Sequence, residues 1–311
     1  ACSIQIGHCG NMTKASVAGS RPMAPTSRIN LYGPTFPRAM NRTDIQAVAR
    51  NFGKAVHLAR ESGFDAVEVH AGHGYLISQF LSPYTNKRRD AYGGSFENRK
   101  RFMTEMLMAV RESMPSNMAM IVKMNCWDGF EKGITKEEGA LTAQAIEQCG
   151  ADAVVVSGGF VSRAPMYVMR GKMPVDIMAY YIREGLKKYF VKLAGQQLIP
   201  SVPYVEGYFM EEAKRIQQAI KIPVVLVGGM NSMHTIEKAM REGFQWIAMA
   251  RALIENTNFV NDLRNEVIDK SSCTICNYCV AKMYSGEMSC HLHEKNLPAA
   301  LKQKIAAFNY A

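Results

Sequence analysis

Residues Phe64-Asp-Ala-Val-Glu-Val-His70 form an apolar, β-branched run, and Ala71-Gly-His73-Gly-Tyr75 follows it directly. The run reads as a strand and the glycine-flanked segment as the loop at its C-terminal end. Upstream, Ile45, Val48, Ala49, Phe52, Val56 and Ala59 recur at spacings of three and four and mark one face of a helix. Thr43 with Gln46 predicts the capping box of that helix, and Gly63 predicts its end. Downstream, a second helix is expected from about Ser95 to Met114, broken by Pro115 and Asn117.

The same alternation runs outward in both directions. Cys2 to Ile6, Ala119 to Met124, Asp152 to Val156, Pro223 to Val227 and Gln245 to Met249 read as strands. Between them, Thr135 with Glu138 caps a helix ending near Cys149-Gly150, and Met210 to Ile220 and Met233 to Glu242 are helical. Apolar strands alternating with amphipathic helices imply parallel pairing through right-handed crossovers. Gly72-His73-Gly74 lacks the third glycine of a dinucleotide fingerprint and precedes a long loop, which argues against an open doubly wound sheet. Gly228-Gly229 and Ala250-Arg251 sit instead at the ends of the last two strands, where a (β/α)8 barrel commonly binds phosphate; tight turns are the plain alternative. The expected fold is an α/β (β/α)8 TIM barrel with about six of its eight βα units in this sequence. Because the first residue is Ala and the strand pattern starts at once, something is expected to be missing or processed away upstream.

The chain has 311 residues, 48% hydrophobic and 21% charged, which suits a packed enzyme-sized domain and excludes disordered, collagenous and disulfide-knot classes. No stretch approaches the roughly 18 apolar residues of a membrane helix, and no signal peptide is evident. A formal charge of +10 raises nucleic acid as a partner. The basic runs Lys87-Arg88-Arg89, Arg99-Lys100-Arg101 and Lys187-Lys188 are short and separated, so neither nucleic acid nor membrane insertion is expected. Of eight cysteines, Cys2, Cys9, Cys126 and Cys149 are scattered while Cys273, Cys276, Cys279 and Cys290 cluster. That distribution implies a reducing compartment, cytoplasmic or an organellar matrix, and a metal or cluster site rather than a disulfide framework. The expected organisation is a barrel over residues 1–270, a four-cysteine segment over 271–293 and a tail or helix over 294–311. An insertion at 161–205, with a helix over Asp176 to Leu193, reads as a lid or as a surface excursion.

His70, His73 and Tyr75 crowd one strand end. Two imidazoles can donate hydrogen bonds to one carbonyl oxygen and stabilise enolate charge, while a phenol supplies a proton.

The stretch GFDAVEVHAGHGYLISQFLSPYTNKRRDAYGGSFENRKRF, from Gly63 to Phe102, closely resembles the old yellow enzyme family of flavin-dependent ene-reductases. The resemblance continues through Gln5 to Gly10, Pro223 to Gly229 and the Ala250-Arg251 turn. It implies an FMN-binding barrel that takes hydride from NADH or NADPH at flavin N5 and passes it to an alkene conjugated to a carbonyl. It further implies that Gln5 bonds the flavin pyrimidine edge, that His70 and His73 grip the substrate carbonyl, and that Tyr75 protonates the α-carbon. Lys123 stands where many relatives carry arginine beside flavin N1 and O2, offering a point charge in place of a fork. Gly228, Gly229, Ala250 and Arg251 match the phosphate turns, with Ala250 where glycine is usual. The cysteine group is similar to one in the 2,4-dienoyl-CoA reductase branch, with a spacing that departs by one residue between the second and third cysteines. A [4Fe–4S] cluster, a zinc ion and no metal all remain open for it. That branch has a further downstream flavin and nucleotide domain, and an electron relay to such a domain is not expected within these 311 residues. The implied partner is a small enone or enoyl substrate. The rival expectation is a flavin-free family member acting as a structural subunit, its open barrel edge covered by a protein partner or a second copy.

Overall fold

The computed structural model describes residues 1–30, 33–182, 185–294 and 296–306; the expected tail therefore extends past the described residues at 307–311. The strands are β1 (Ser3–Ile6), β2 (Met23–Ala24), β3 (Arg38–Ala39), β4 (Ala66–Ala71), β5 (Ala119–Asn125), β6 (Ala153–Ser157), β7 (Val224–Val227) and β8 (Trp246–Ala248). Six of them form one sheet in the order β1-β4-β5-β6-β7-β8, and β2 pairs with β3 in a small second sheet. The pairs β1/β4, β4/β5, β5/β6 and β6/β7 are all parallel. Within this sheet the strands follow one another in chain order with helix between them, so the sheet is a partial barrel of six strands rather than an open sheet with reversed order.

The chain forms two compact units. The first comprises Ala1–Ala164, Phe209–Leu226 and Phe244–Trp246, and the second Pro165–Tyr208, Val227–Gly243 and Ile247–Ala311. In the first unit one face of the sheet is dry. Val67, Val69, Met120, Val122, Met124, Val154 and Val156 are fully buried, as are Ile45 and Val56 of the helix Arg42–Glu61 and Phe102, Met103, Met106 and Leu107 of the helix Phe96–Ser113. Helix positions at spacings of three and four, and strand positions at spacing two, thus meet on one apolar layer.

Most elements lie within a few residues of their expected limits, with instructive exceptions. The helix Arg42–Glu61 is capped by Asn41 and Asp44, not by Thr43 and Gln46: the Asn41 Oδ1 accepts from the Asp44 amide at 2.9 Å and Asp44 Oδ2 accepts from the Asn41 amide at 2.8 Å. Arg38 anchors that Asp44 carboxylate with two hydrogen bonds of 2.6 and 2.7 Å. Thr135 does cap the helix Lys136–Gln148, but the Glu138 side chain turns away to pair with Arg99. The expected helix from Asp176 to Leu193 is two helices, Val175–Tyr181 and Gly185–Leu198, because Ile182 adopts extended backbone after the first. The helix Leu76–Leu81 was not expected, since six consecutive buried residues carry no periodicity.

Met166, Met173, Val175, Ile177 and Met178 from the inserted segment share one core with Cys276, Tyr278 and Ala281 of the cysteine segment and with Leu297, Leu301 and Ile305 beyond it. Apolar side chains from all three stretches bury one another, so none is a separate body. No helix among the described residues is long and apolar enough to cross a membrane.

Arg99 shows how the first unit is fastened. Its side chain is buried, donates to the carbonyls of Leu81 and Gly94, and pairs with Glu138. Replacing it with Met strands the Glu138 carboxylate beside apolar surface. Arg99→Met should lower the unfolding free energy by about 3 kcal/mol in urea titrations; a loss below about 1 kcal/mol, the range of exposed pairs, would show the pair to be peripheral.

Candidate active site

Because side chains alternate along a strand, burial of Val67 and Val69 forces Glu68 and His70 onto the opposite face of β4. The same rule puts Lys123 on that face of β5, abreast of His70 in the parallel register. Gln5 lies abreast of Glu68 on β1. One face of the first unit thus carries an exposed Gln5 and the partly buried Glu68, His70 and Lys123 in a row, and Glu68 binds its neighbours. Gln5 Nε2 donates to Glu68 Oε1, and Lys123 Nζ lies 3.1 Å from the same oxygen.

Beyond β4 the chain folds tightly. His73 and Gly74 both take left-handed backbone, with φ of 58° and 79°. Asn125, the last residue of β5, accepts from the His73 amide at 2.9 Å, and a Cβ at Gly72 would stand 2.8 Å from the same Asn125 oxygen. A Cβ at Gly74 would come 2.5 Å from the Phe160 ring, so glycine is required there by space as well as by φ. The compression delivers three rings to one place. The His70 and His73 centroids are 5.0 Å apart and edge-on, and His70 and Tyr75 are 4.8 Å apart. His73 Nε2 lies 2.7 Å from the Ser157 hydroxyl at the end of β6.

Electrostatics fixes the protonation of this group. Burial, with a contribution from Lys123 and partial opposition from Glu68, takes His70 down to about 4. Burial, then His70 and Lys123, takes His73 down to about 3. Burial, with Cys9 adding to it, raises Tyr75. At neutral pH the site therefore presents two uncharged imidazoles and a protonated phenol, the states from which hydrogen bonds and a proton are donated.

Several residues that hold this arrangement were not singled out in the sequence. Gln79 is fully buried; its Nε2 donates to Asn11 Oδ1 at 2.9 Å and to the Gly74 carbonyl at 2.7 Å, tying the segment after β1 to the loop after β4. Asn125 Nδ2 donates to Asp128 Oδ1 at 2.8 Å, and Asp128 Oδ2 accepts from Ser82 and the Ile134 amide at 2.6 and 2.9 Å. A polar residue inside an apolar run, as in Ile77-Ser-Gln79-Phe, was the available signal. Burial raises Asp128 to about 6 against its hydrogen bonds, which act downward.

The remaining expected site residues lie in the second unit. Gly228 and Gly229 follow β7 with φ of 113° and 72°, and a Cβ at Gly229 would sit 3.0 Å from the Gly207 amide nitrogen and from the Val205 carbonyl. Ala250 precedes the short helix Arg251–Glu255. Arg251 donates to Asn277 Oδ1 at 2.8 Å and lies 5.9 Å from the Tyr204 ring centroid.

All eight cysteines are free thiols. Cys273, Cys279 and Cys290 are raised by burial, Cys279 to about 11. Burial also pushes Cys276 up, yet hydrogen bonds from His291, the Tyr278 backbone and Thr274 hold it below its ordinary value. Among the described residues no group of three or more His, Cys, Asp or Glu side chains is arranged to hold a metal ion. A four-cysteine iron–sulfur or zinc site is thus not shown among the described residues.

Comparison with known proteins gives a consistent picture. A model of the NADH:flavin oxidoreductase / NADH oxidase family matches residues 2–192. The 4,4'-dithiodibutanoate disulfide reductase of Rhodococcus erythropolis is 35% identical over 285 residues, covering 91% of this chain and 70% of that protein. Among solved structures, 2-naphthoyl-CoA reductase in complex with 2-naphthoyl-CoA matches 99% of this chain with a TM-score of 0.73 at 25% identity. The old yellow enzyme homologue of Zymomonas mobilis matches 86% with a TM-score of 0.63 at 21% identity, a likeness of fold. This chain spans 44% of the naphthoyl-CoA reductase chain and 68% of the Zymomonas one.

The pKa shifts give opposite pH dependences. His70 and His73 are lowered in the fold, so their stabilisation is present above about pH 6.5 and is lost as pH falls toward 4 and 3. Asp128 is raised, so its contribution is present at low pH and lost as pH rises toward 6. Between pH 6 and 4 the aspartate offsets part of the histidine loss. Asp128→Asn should therefore steepen the fall of unfolding free energy over that window by up to about 1.4 kcal/mol per pH unit; an unchanged slope would show that Asp128 does not take up a proton on folding.

Proposed function

Because the chain belongs to the NADH:flavin oxidoreductase / NADH oxidase family, we propose that it is an FMN-dependent reductase of the old yellow enzyme type, taking NADH or NADPH as donor and an alkene conjugated to a carbonyl as acceptor. One observation carries the reading: two neutral imidazoles and a protonated phenol are packed ring against ring at one strand end. His70 and His73 donate to the acceptor's carbonyl oxygen, drawing electron density from the conjugated carbon. Tyr75 holds the proton that the α-carbon receives. Burial suits both tasks, since a donor in a site of low polarity is worth more than one in water.

Within the first unit, Gln5 and Lys123 offer an amide and a cation suited to the polar edge of a flavin ring. Within the second, taken by itself, Gly228 and Gly229 lack the side chains that would keep a phosphate from backbone amides. Ala250 is small enough for the same task, and Arg251 supplies charge. When bound, FMN supplies the hydride relay between nicotinamide and acceptor. No step is assigned to the four cysteines.

The disulfide-reducing relative, the first named above, favours a disulfide as a second class of acceptor. The two acceptors differ in their need for a proton at carbon, which makes Tyr75 the discriminating residue.

In rapid mixing with flavin-loaded protein, Tyr75→Phe should slow reoxidation by an enone by about a hundredfold or more, within the 10²–10⁴ range of positioned acids, and leave reduction by NADH unchanged. His70→Ala with His73→Ala should weaken enone and phenol binding. Binding in the wild type should be flat from pH 8 to 5, the range over which His70 stays neutral. Equal slowing of both half-reactions in Tyr75→Phe would remove the proton-donor role. A protein that binds no flavin would favour the structural-subunit reading.

A further inference from the structure

Glu68 lies between the two residues expected to meet the flavin ring, and no role has been given to it. It stands abreast of Gln5 in the sheet register and on the same face as Lys123. One of its oxygens takes a hydrogen bond from Gln5 Nε2 and faces Lys123 Nζ at 3.1 Å, with the carboxylate and the ammonium each about one-fifth exposed. A carboxylate only accepts, so the Gln5 atom facing it must be the NH2 group whatever ligand is bound. The amide orientation is therefore set from beneath, with the Gln5 carbonyl oxygen left as an acceptor. The same carboxylate offsets the charge of Lys123, the cation within the row.

We infer that Glu68 is a positioning residue that presents Gln5 as an acceptor to an imide N–H and tempers the positive charge that Lys123 brings to a bound flavin. The inference rests on the flavin reading above. Its chemistry is directional: a cation beside the flavin favours the anionic reduced ring, and a carboxylate held against that cation works the other way. Glu68 thereby keeps the bound flavin a stronger reductant than Gln5 and Lys123 alone would make it. His70 is drawn into the same balance, since Lys123 lowers it and Glu68 raises it.

The test is the midpoint potential and FMN affinity of the full chain, measured by dye equilibration and fluorescence titration for the wild type, Glu68→Gln and Glu68→Asp. Glu68→Gln should raise the ratio of reduced to oxidised flavin at a given poise about tenfold, which is about 30 mV positive for a two-electron couple. It should also weaken binding of oxidised FMN, because the Gln5 amide is no longer held in one orientation. Glu68→Asp, which keeps the charge, should stay near the wild-type potential. In a Lys123→Met background the Glu68→Gln shift should fall to less than half, since the effect passes through the lysine. Flavin binding with an unshifted potential in Glu68→Gln, a shift shared by Glu68→Asp, or a full shift without Lys123 overturns the inference and leaves the flavin reading standing. A wild type that binds no FMN overturns both.

Discussion

Everything at the candidate site depends on the period-two alternation of a parallel sheet with one dry face. Val67, Val69, Met120, Val122 and Met124 are fully buried, and each such side chain favours the fold by about 1.5–3 kcal/mol. A slip of one residue would move that whole set toward the polar side and bring Glu68, His70 and Lys123 into the apolar layer. The chemistry-bearing side chains are thus placed by the burial of the residues between them. Their own interactions, such as the Glu68–Lys123 contact, tune a geometry that the valines and methionines impose.

The loop after β4 depends on a second device, buried polar groups whose hydrogen bonds are satisfied on several sides. Gln79 joins the segment after β1 to the loop after β4, and Asn125 spans from the His73 amide to Asp128 and the Gly159 carbonyl. Leaving one such group unpaired costs about 1–3 kcal/mol, which favours a single loop conformation over its alternatives. Preorganisation of His73 and Tyr75 is therefore built from amides and carboxyls that themselves do no chemistry.

The fold was legible because strand and helix periods are carried by many residues at once, so an error at one position does not change the pattern. His70, His73 and Tyr75 were legible for a related reason: three polar rings at one strand end have no simple packing explanation. What the sequence left hidden was reciprocal and local. The Asn41–Asp44 cap lies two residues from the Thr43–Gln46 pair that fits the usual pattern, and Asp serves as well as Glu at that reach. Glu68 looks like one polar residue in a strand until β1 and β5 are laid beside it. The cysteine spacing suggested a ligand set, and it gave no sign that Cys276 shares an apolar core with Val175, Leu301 and Ile305. Spacing along a chain fixes which side chains can meet, and packing decides which do.

The left-handed backbone at His73 also bears on how this site can drift. With φ at 58°, a β-branched residue such as Val, Ile or Thr is opposed by its own backbone, whereas Asn, Asp, His and Gly tolerate the conformation. Of those four, only His and Asn carry a neutral side-chain N–H donor at physiological pH. Substitutions that leave the loop relaxed are therefore filtered by a dihedral angle before they are filtered by catalysis. Asparagine is the neighbouring solution in sequence space that retains both the turn and a hydrogen bond to offer.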